Sequence, residues 1–189
     1  MTKATRRLCV FAGSSAGRDP EHRRLAGHLG QLLARRGIGL VFGAGHVGLM
    51  GALADAALSE GGEVIGVIPR SMVEREWAHG GLTDLRITED MHERKALMNQ
   101  LSDAFLALPG GIGTLEELFE VYTWAQLGFH HKPVGLLDAG GFYAPLLQML
   151  DRMVEQGFLG REARGLLACE PTLEHLLEHL GMGQSTPAH

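Results

Sequence analysis

The chain predicts an α/β fold of the doubly wound type, with a mainly parallel sheet flanked by helices on both faces. Three observations carry that expectation. Apolar runs of a few residues alternate with longer segments whose apolar positions recur at helical spacing. The runs are nearly continuous rather than alternating, as strands covered on both faces must be. Glycine-rich turns follow several of the runs, where a strand would pass into a helix N-terminus. A chain of 189 residues fits one domain, expected over 1–180 with 181–189 as a disordered tail.

The elements follow in order. Residues 8–12 form a first strand that ends in Gly13-Ser14-Ser15. Asp19-Pro20 then supplies an N-cap and a proline at the first helical position. The helix that follows carries Leu25, Leu29, Leu32 and Leu33 and stops at Gly37. Residues 39–42 are the second strand, leading into Gly43-Ala44-Gly45-His46-Val47-Gly48 and a helix with Leu49, Leu53, Ala56 and Ala57 inward. The third strand is 64–68, residues 70–82 read as irregular, and a short strand covers 85–87. A helix over 91–101 precedes a strand at 104–108, the loop Pro109–Thr114, and a helix to about 127. A strand at 134–137, a helix with Leu146, Leu147 and Leu150, a strand near 166–168 and a helix with Leu173, Leu176 and Leu177 complete the domain.

Composition narrows the function. The formal net charge of -5 and pI near 6.0 exclude a basic footprint for nucleic acid or anionic membrane. There is no apolar run long enough to span a bilayer and no leader with a cleavage site, so the expected setting is cytoplasmic. Two separated cysteines, Cys9 and Cys169, give neither a disulfide framework nor a CxxC site. No histidine has ligand spacing to other candidates, so neither a metal nor a cofactor is expected.

Two loops have the composition of a phosphate cradle. Gly43–Gly48 fits GxGxxG between strand and helix, with Gly43 and Gly45 free to approach a ligand. Tight strand–helix packing explains the same glycines as well. Pro109-Gly110-Gly111-Ile112-Gly113-Thr114 offers three glycines and a hydroxyl without the Gly-Lys-Ser/Thr ending of an NTPase loop. Glu116, Glu117 and Glu120 fall away from the apolar stripe of the next helix. By spacing, Thr114 and Glu117 make a capping box, which ranks above catalysis for Glu117. Arg94 shares a stripe with Leu97, Met98 and Leu101, and therefore faces the core at the ligand end of the sheet. A buried arginine there needs an anionic partner.

These residues resemble a known family. Residues 109–117 match the PGGxGTxxE signature of the Lonely Guy family, cytokinin riboside 5′-monophosphate phosphoribohydrolases, and Met91-His92-Glu93-Arg94-Lys95 is similar to its MHxRK motif. Residues 43–51 and Thr123–Gly128 also look like that family; Ala44, where glycine is common, and the segment 75–83 depart from it. The resemblance implies a Rossmann-like fold and hydrolysis of a nucleoside 5′-monophosphate to base and ribose 5-phosphate. It implies that Gly110, Gly111, Gly113 and Thr114 hold the phosphate and that Arg94 and Glu117 form the catalytic pair. Glu76, Lys95, Glu116 and Thr123 are then expected to line the site. A homodimer with the site near its interface is also implied, with Tyr122, Trp124 and Phe129 as candidate contacts. Three other readings compete. A lysine decarboxylase needs a Schiff-base lysine, and only Lys3, Lys95 and Lys132 exist. An NAD oxidoreductase lacks an acid after the third strand. A nucleotide or cofactor carrier has little need of a carboxylate beside its anion.

Overall fold

Every apolar run of the sequence forms a strand in the computed structural model, which describes residues 6–73 and 78–183. In chain order the elements are β1 (Arg6–Phe11), α1 (Pro20–Arg35), β2 (Ile38–Phe42), α2 (Gly48–Ser59), β3 (Val64–Pro69) and α3 (Arg70–Val73). They continue with β4 (Asp84–Thr88), α4 (Met91–Leu101), β5 (Ala104–Ala107), α5 (Ile112–Gln126), β6 (Val134–Leu137) and a 3₁₀ turn (Ala139–Gly141). The last are α6 (Ala144–Glu155), α7 (Arg161–Gly165), β7 (Leu167–Glu170) and α8 (Leu173–His179). The seven strands make one sheet in the order β4-β3-β2-β1-β5-β6-β7. Every pairing is parallel, so the expected mainly parallel sheet is parallel throughout.

Alternate side chains divide the core between the two faces. Leu8 and Val10 of β1 and Leu40 and Phe42 of β2 pack with Leu29 and Leu33 of α1, Leu53 of α2 and Leu176 of α8. Cys9, Phe11 and Val41 point the other way, to Met98 of α4, Leu118 and Tyr122 of α5 and Leu150 of α6. The central strands β2, β3 and β5 are buried along their whole length, whereas the edge strand β4 exposes Leu85, Arg86 and Ile87. That contrast is what continuous apolar runs in the middle and a short mixed run at the edge dictate.

Local signals act as the residues suggest, with instructive exceptions. Asp19 caps α1, accepting from the Glu21 N–H at 2.9 Å, and Gly37 ends it with φ of 66°. Asp90 caps α4 by accepting from the N–H groups of His92 and Glu93, each at 2.8 Å. The helix α5, however, begins two residues before the expected capping box. Its N-cap is Gly111, so Thr114 is the third helical residue and no side chain caps the first turn. The segment 70–82 opens with the single turn α3, and Gly45 forms an antiparallel bridge to Ala78. Ordered chain also runs past Leu180: Met182 is buried, and Arg36 donates to its carbonyl at 3.2 Å. Residues 184–189 of the expected tail lie outside the described residues.

Candidate active site

The strand order creates the site. From β1 the chain winds outward to β4 on one side, then returns to β5 on the other. The loops after β1 and β5 therefore diverge, and ligands bind at such a divide beyond the carboxyl ends of the strands. Here the two loops touch: a Cβ on Gly13 would sit 3.4 Å from the Gly110 Cα. A cleft of about 380 Å³ opens above them, reached by Ser14, Arg94, Gly111, Thr114 and Glu117. It adjoins a second of about 470 Å³ with Val47, Met50, Ile68 and Met72 in its wall, and Ser14, Met50, Met72 and Arg94 are common to both.

Arg94 sits in the second turn of α4 and is 6% exposed. Its helical stripe turns it inward, where the carbonyls at the ends of two strands receive it. Nε donates to Val67 O at 3.1 Å and Nη2 to Gly43 O at 3.3 Å. The same Nη2 lies 3.4 Å from Oε1 of Glu117. A Cβ on Gly43 would fall 2.0 Å from that nitrogen. The first glycine of the GxGxxG loop is therefore required by the arginine; the sequence had suggested a phosphate. Gly45 lines the second cleft against Met50.

Glu117 is the second member. Its position follows from where α5 begins: with Gly111 as N-cap, Glu117 lies one and a half turns in, turned toward α4. Its side chain is 14% exposed, so it neither caps the helix nor lies on a solvated acidic face. Burial pushes its carboxyl from the ordinary 4.5 up to about 7. Arg94 and Lys95 act against that rise, and Glu116 and Glu120 reinforce it. A carboxyl balanced between its two forms at neutral pH suits proton transfer.

The uncapped first turn of α5 completes the arrangement. The leading N–H groups of a helix point outward along its axis, and with the dipole they favour an anion. Here they belong to the Gly111–Thr114 stretch at the floor of the cleft. Thr114 is buried, and Gly110 is glycine because any Cβ there would lie 2.2 Å from the Thr114 hydroxyl. The structure thus brings together Arg94, Glu117, Glu116, Gly111, Gly113 and Thr114, with Gly110 beneath them.

Other expected residues lie elsewhere. The Lys95 ammonium turns to Glu116 and to Glu120, the latter at 3.0 Å, on the side of Glu117 away from the cleft. Thr123 is exposed on α5, about 16 Å along the axis from Ile112. Glu76 lies outside the described residues. Of the aromatic residues expected at an interface, Tyr122 is buried and donates its hydroxyl to Ala163 O at 2.9 Å, so it serves the core. Trp124 is half-buried and Phe129 exposed. Sequence reading missed Ser14, which reaches all three cavities around the two loops. The Gly13-Ser14-Ser15 turn was the available signal, but only strand order puts it opposite Gly110.

A parallel sheet divided at β1 and β5, with a buried arginine–carboxyl pair over an uncapped helix, defines a Rossmann-like α/β protein with its candidate site at the switch point. Comparisons with known proteins make this specific. A family model described as "Possible lysine decarboxylase" matches residues 50–180. The chain is 49% identical over 172 residues to the rice (Oryza sativa subsp. japonica) protein named cytokinin riboside 5′-monophosphate phosphoribohydrolase LOG, covering 91% of this chain and 71% of that one. It is 48% identical over 183 residues to an Arabidopsis thaliana protein of the same name, covering 97% and 84%. The chain belongs to this Lonely Guy family. Among solved structures, the structural-genomics target TM1055 superposes with a TM-score of 0.73 at 23% identity, covering 94% of this chain and 99% of that one. The molybdenum cofactor binding protein of Rippkaea orientalis gives 0.70 at 22%, covering 95% and 98%. At such identities these two speak for the fold alone.

Proposed function

We propose that this protein hydrolyses the N-glycosidic bond of an adenosine 5′-monophosphate carrying an apolar N6 substituent, releasing the free base and ribose 5-phosphate. The observation that carries the reading is the Arg94–Glu117 pair, buried beside the first turn of α5. The phosphate rests on the Gly111–Thr114 backbone, within reach of the Ser14 hydroxyl. The ribose then lies under Glu117. As the base departs, positive charge develops on the ribosyl carbon and ring oxygen, as in other glycoside hydrolyses. Ionised Glu117 stabilises that charge or takes the proton of the attacking water, and Arg94 fixes its orientation. The cleft walled by Val47, Met50, Ile68 and Met72 suits an adenine with an apolar tail.

Several observations support this over the competing readings. A Schiff-base lysine must shed its proton, yet Lys95 moves the other way. Desolvation works against its ammonium, and Glu116 and Glu120 outweigh it, so the amine is held protonated. Lys132 lies at the opposite end of the sheet, where its Nζ donates to Asn99 O, and Lys3 is outside the described residues. A carrier has no use for a carboxyl kept near its midpoint beside the anion. The identity of about half the residues with proteins named for this activity points the same way.

The homodimer belongs to the proposal. Leu127 and Phe129 stand exposed at the end of α5, close in sequence to Thr123, and a partner covering them would bury apolar surface. Light scattering of the purified protein tests this. We also place the protein in the cytoplasm; among the described residues no helix is long and apolar enough to cross a membrane.

The deciding experiment incubates the protein with AMP and with N6-isopentenyl-AMP and follows free base by chromatography, with Glu117→Ala as control. Release of base that is lost in the variant is expected. Tight nucleotide binding without release would favour the carrier.

A further inference from the structure

Lys95 and Glu120 have no part in the reaction as drawn, yet both are largely withdrawn from solvent. Lys95 follows Arg94 on α4 and is 11% exposed. Oε1 of Glu120 meets its ammonium at 3.0 Å. The other oxygen, Oε2, is buried with no hydrogen-bond partner among the described residues. Beside it is a void of about 10 Å³, lined by Lys95, Asn99, Glu117 and Glu120 above the rings of Phe11 and Phe105. Such a space admits about one water.

A purely structural role does not account for this arrangement. Tying α4 to α5 needs a single carboxylate, and Glu116 provides one at the exposed end of the lysine. The second carboxylate leaves an oxygen buried and unpaired, which is unfavourable. What it gains is proximity to Glu117: residues three apart on a helix share a face. The charged and titratable groups facing Glu117 are Arg94 and Lys95 from α4, Glu116 and Glu120 from α5, and the Cys9 thiol from β1. Arg94 is fixed by strand carbonyls. Lys95 and Glu120 are the opposed pair that face Glu117 from behind.

We propose that Glu120 and Lys95 are positioning residues that act across the water-sized void to decide whether the Glu117 carboxyl holds a proton when substrate arrives. Negative Glu120 favours the protonated form and positive Lys95 opposes it, in line with the directions in which each moves Glu117. The void gives the proton a route off Glu117: its O–H passes a proton to one water, which hands one on to Oε2 of Glu120. The consequence for catalysis rests on the phosphoribohydrolase reading; the control of the charge state does not.

The test therefore uses two readouts on the whole protein. The first is a ¹³C NMR titration of the Glu117 carboxyl, assigned by its loss in Glu117→Gln. The second is the pH dependence of kcat/KM with N6-isopentenyl-AMP. In Glu120→Gln, both the titration and the matching limb should move to lower pH by about 0.5–1 unit. In Lys95→Met both should move to higher pH, and Glu120→Asp should restore the wild-type titration. An unchanged titration in the folded variants, or movement of both in one direction, overturns the proposal. Should Glu120→Gln fail to fold, the direction of movement in Lys95→Met decides. If wild-type protein releases no base, the functional reading falls while the NMR titration still judges this one.

Discussion

Replacing Glu117 with glutamine should abolish turnover and, above neutral pH, stabilise the fold. Glutamine has the shape of a protonated carboxyl and cannot ionise. In the folded protein the Glu117 carboxyl is pushed up to about 7, against an ordinary 4.5. Below the lower value both folded and unfolded chains hold the proton, and the side chain's contribution is fully present. Between the two values the unfolded chain releases its proton and the folded one keeps it, so stability falls as pH rises. Above the folded value the loss levels off. A gap of about 2.5 pH units corresponds to about 3 kcal/mol. The opposing effect is the Arg94 attraction. At 3.4 Å and an effective dielectric of about 20, it amounts to no more than about 5 kcal/mol, and burial of the carboxylate must exceed it for the rise to stand. Urea unfolding of wild type and Glu117→Gln from pH 5 to pH 8.5 measures the outcome. The variant's advantage should grow by about 2–3 kcal/mol across that range, other titrations cancelling in the difference. A flat difference, or a variant more than about 1 kcal/mol less stable at pH 8.5, would show that the ion pair outweighs desolvation and would refute the reasoning.

Three further outcomes follow from the geometry. Arg94→Met should lower kcat/KM by about 10²–10⁴ and raise the pH at which Glu117 titrates, both read from one pH–rate series. Gly43→Ala should act at a distance: its Cβ would lie 2.0 Å from Arg94 Nη2, so activity should fall at least about 10-fold with Tm lowered, although residue 43 need not touch the substrate. Asp19→Ala removes the cap of α1 and should cost about 1 kcal/mol in denaturant titration with turnover unchanged. A matching loss of activity there would mean that the β1–α1 loop depends on the cap.

The alternation of apolar runs with amphipathic segments was enough to determine the layers, because burial on both faces leaves a strand no polar positions and a helix one stripe. The bounds of α4 and β6 and the cap at Asp19 were legible for the same local reason. So was the inward face of Arg94, since it sits in register with Met98. What Arg94 meets was not legible. Its partners Val67 O, Gly43 O and Glu117 come from three elements far apart in sequence, and only the strand order brings them together. Glu117 shows the limit most plainly. Its spacing from Thr114 reads as a capping box, but α5 starts at Ile112, with Gly111 in the cap position. Once the helix begins there, Glu117 turns toward α4 and out of water. The sequence names a carboxylate; its charge at neutral pH is decided by burial, and burial is a property of the folded molecule.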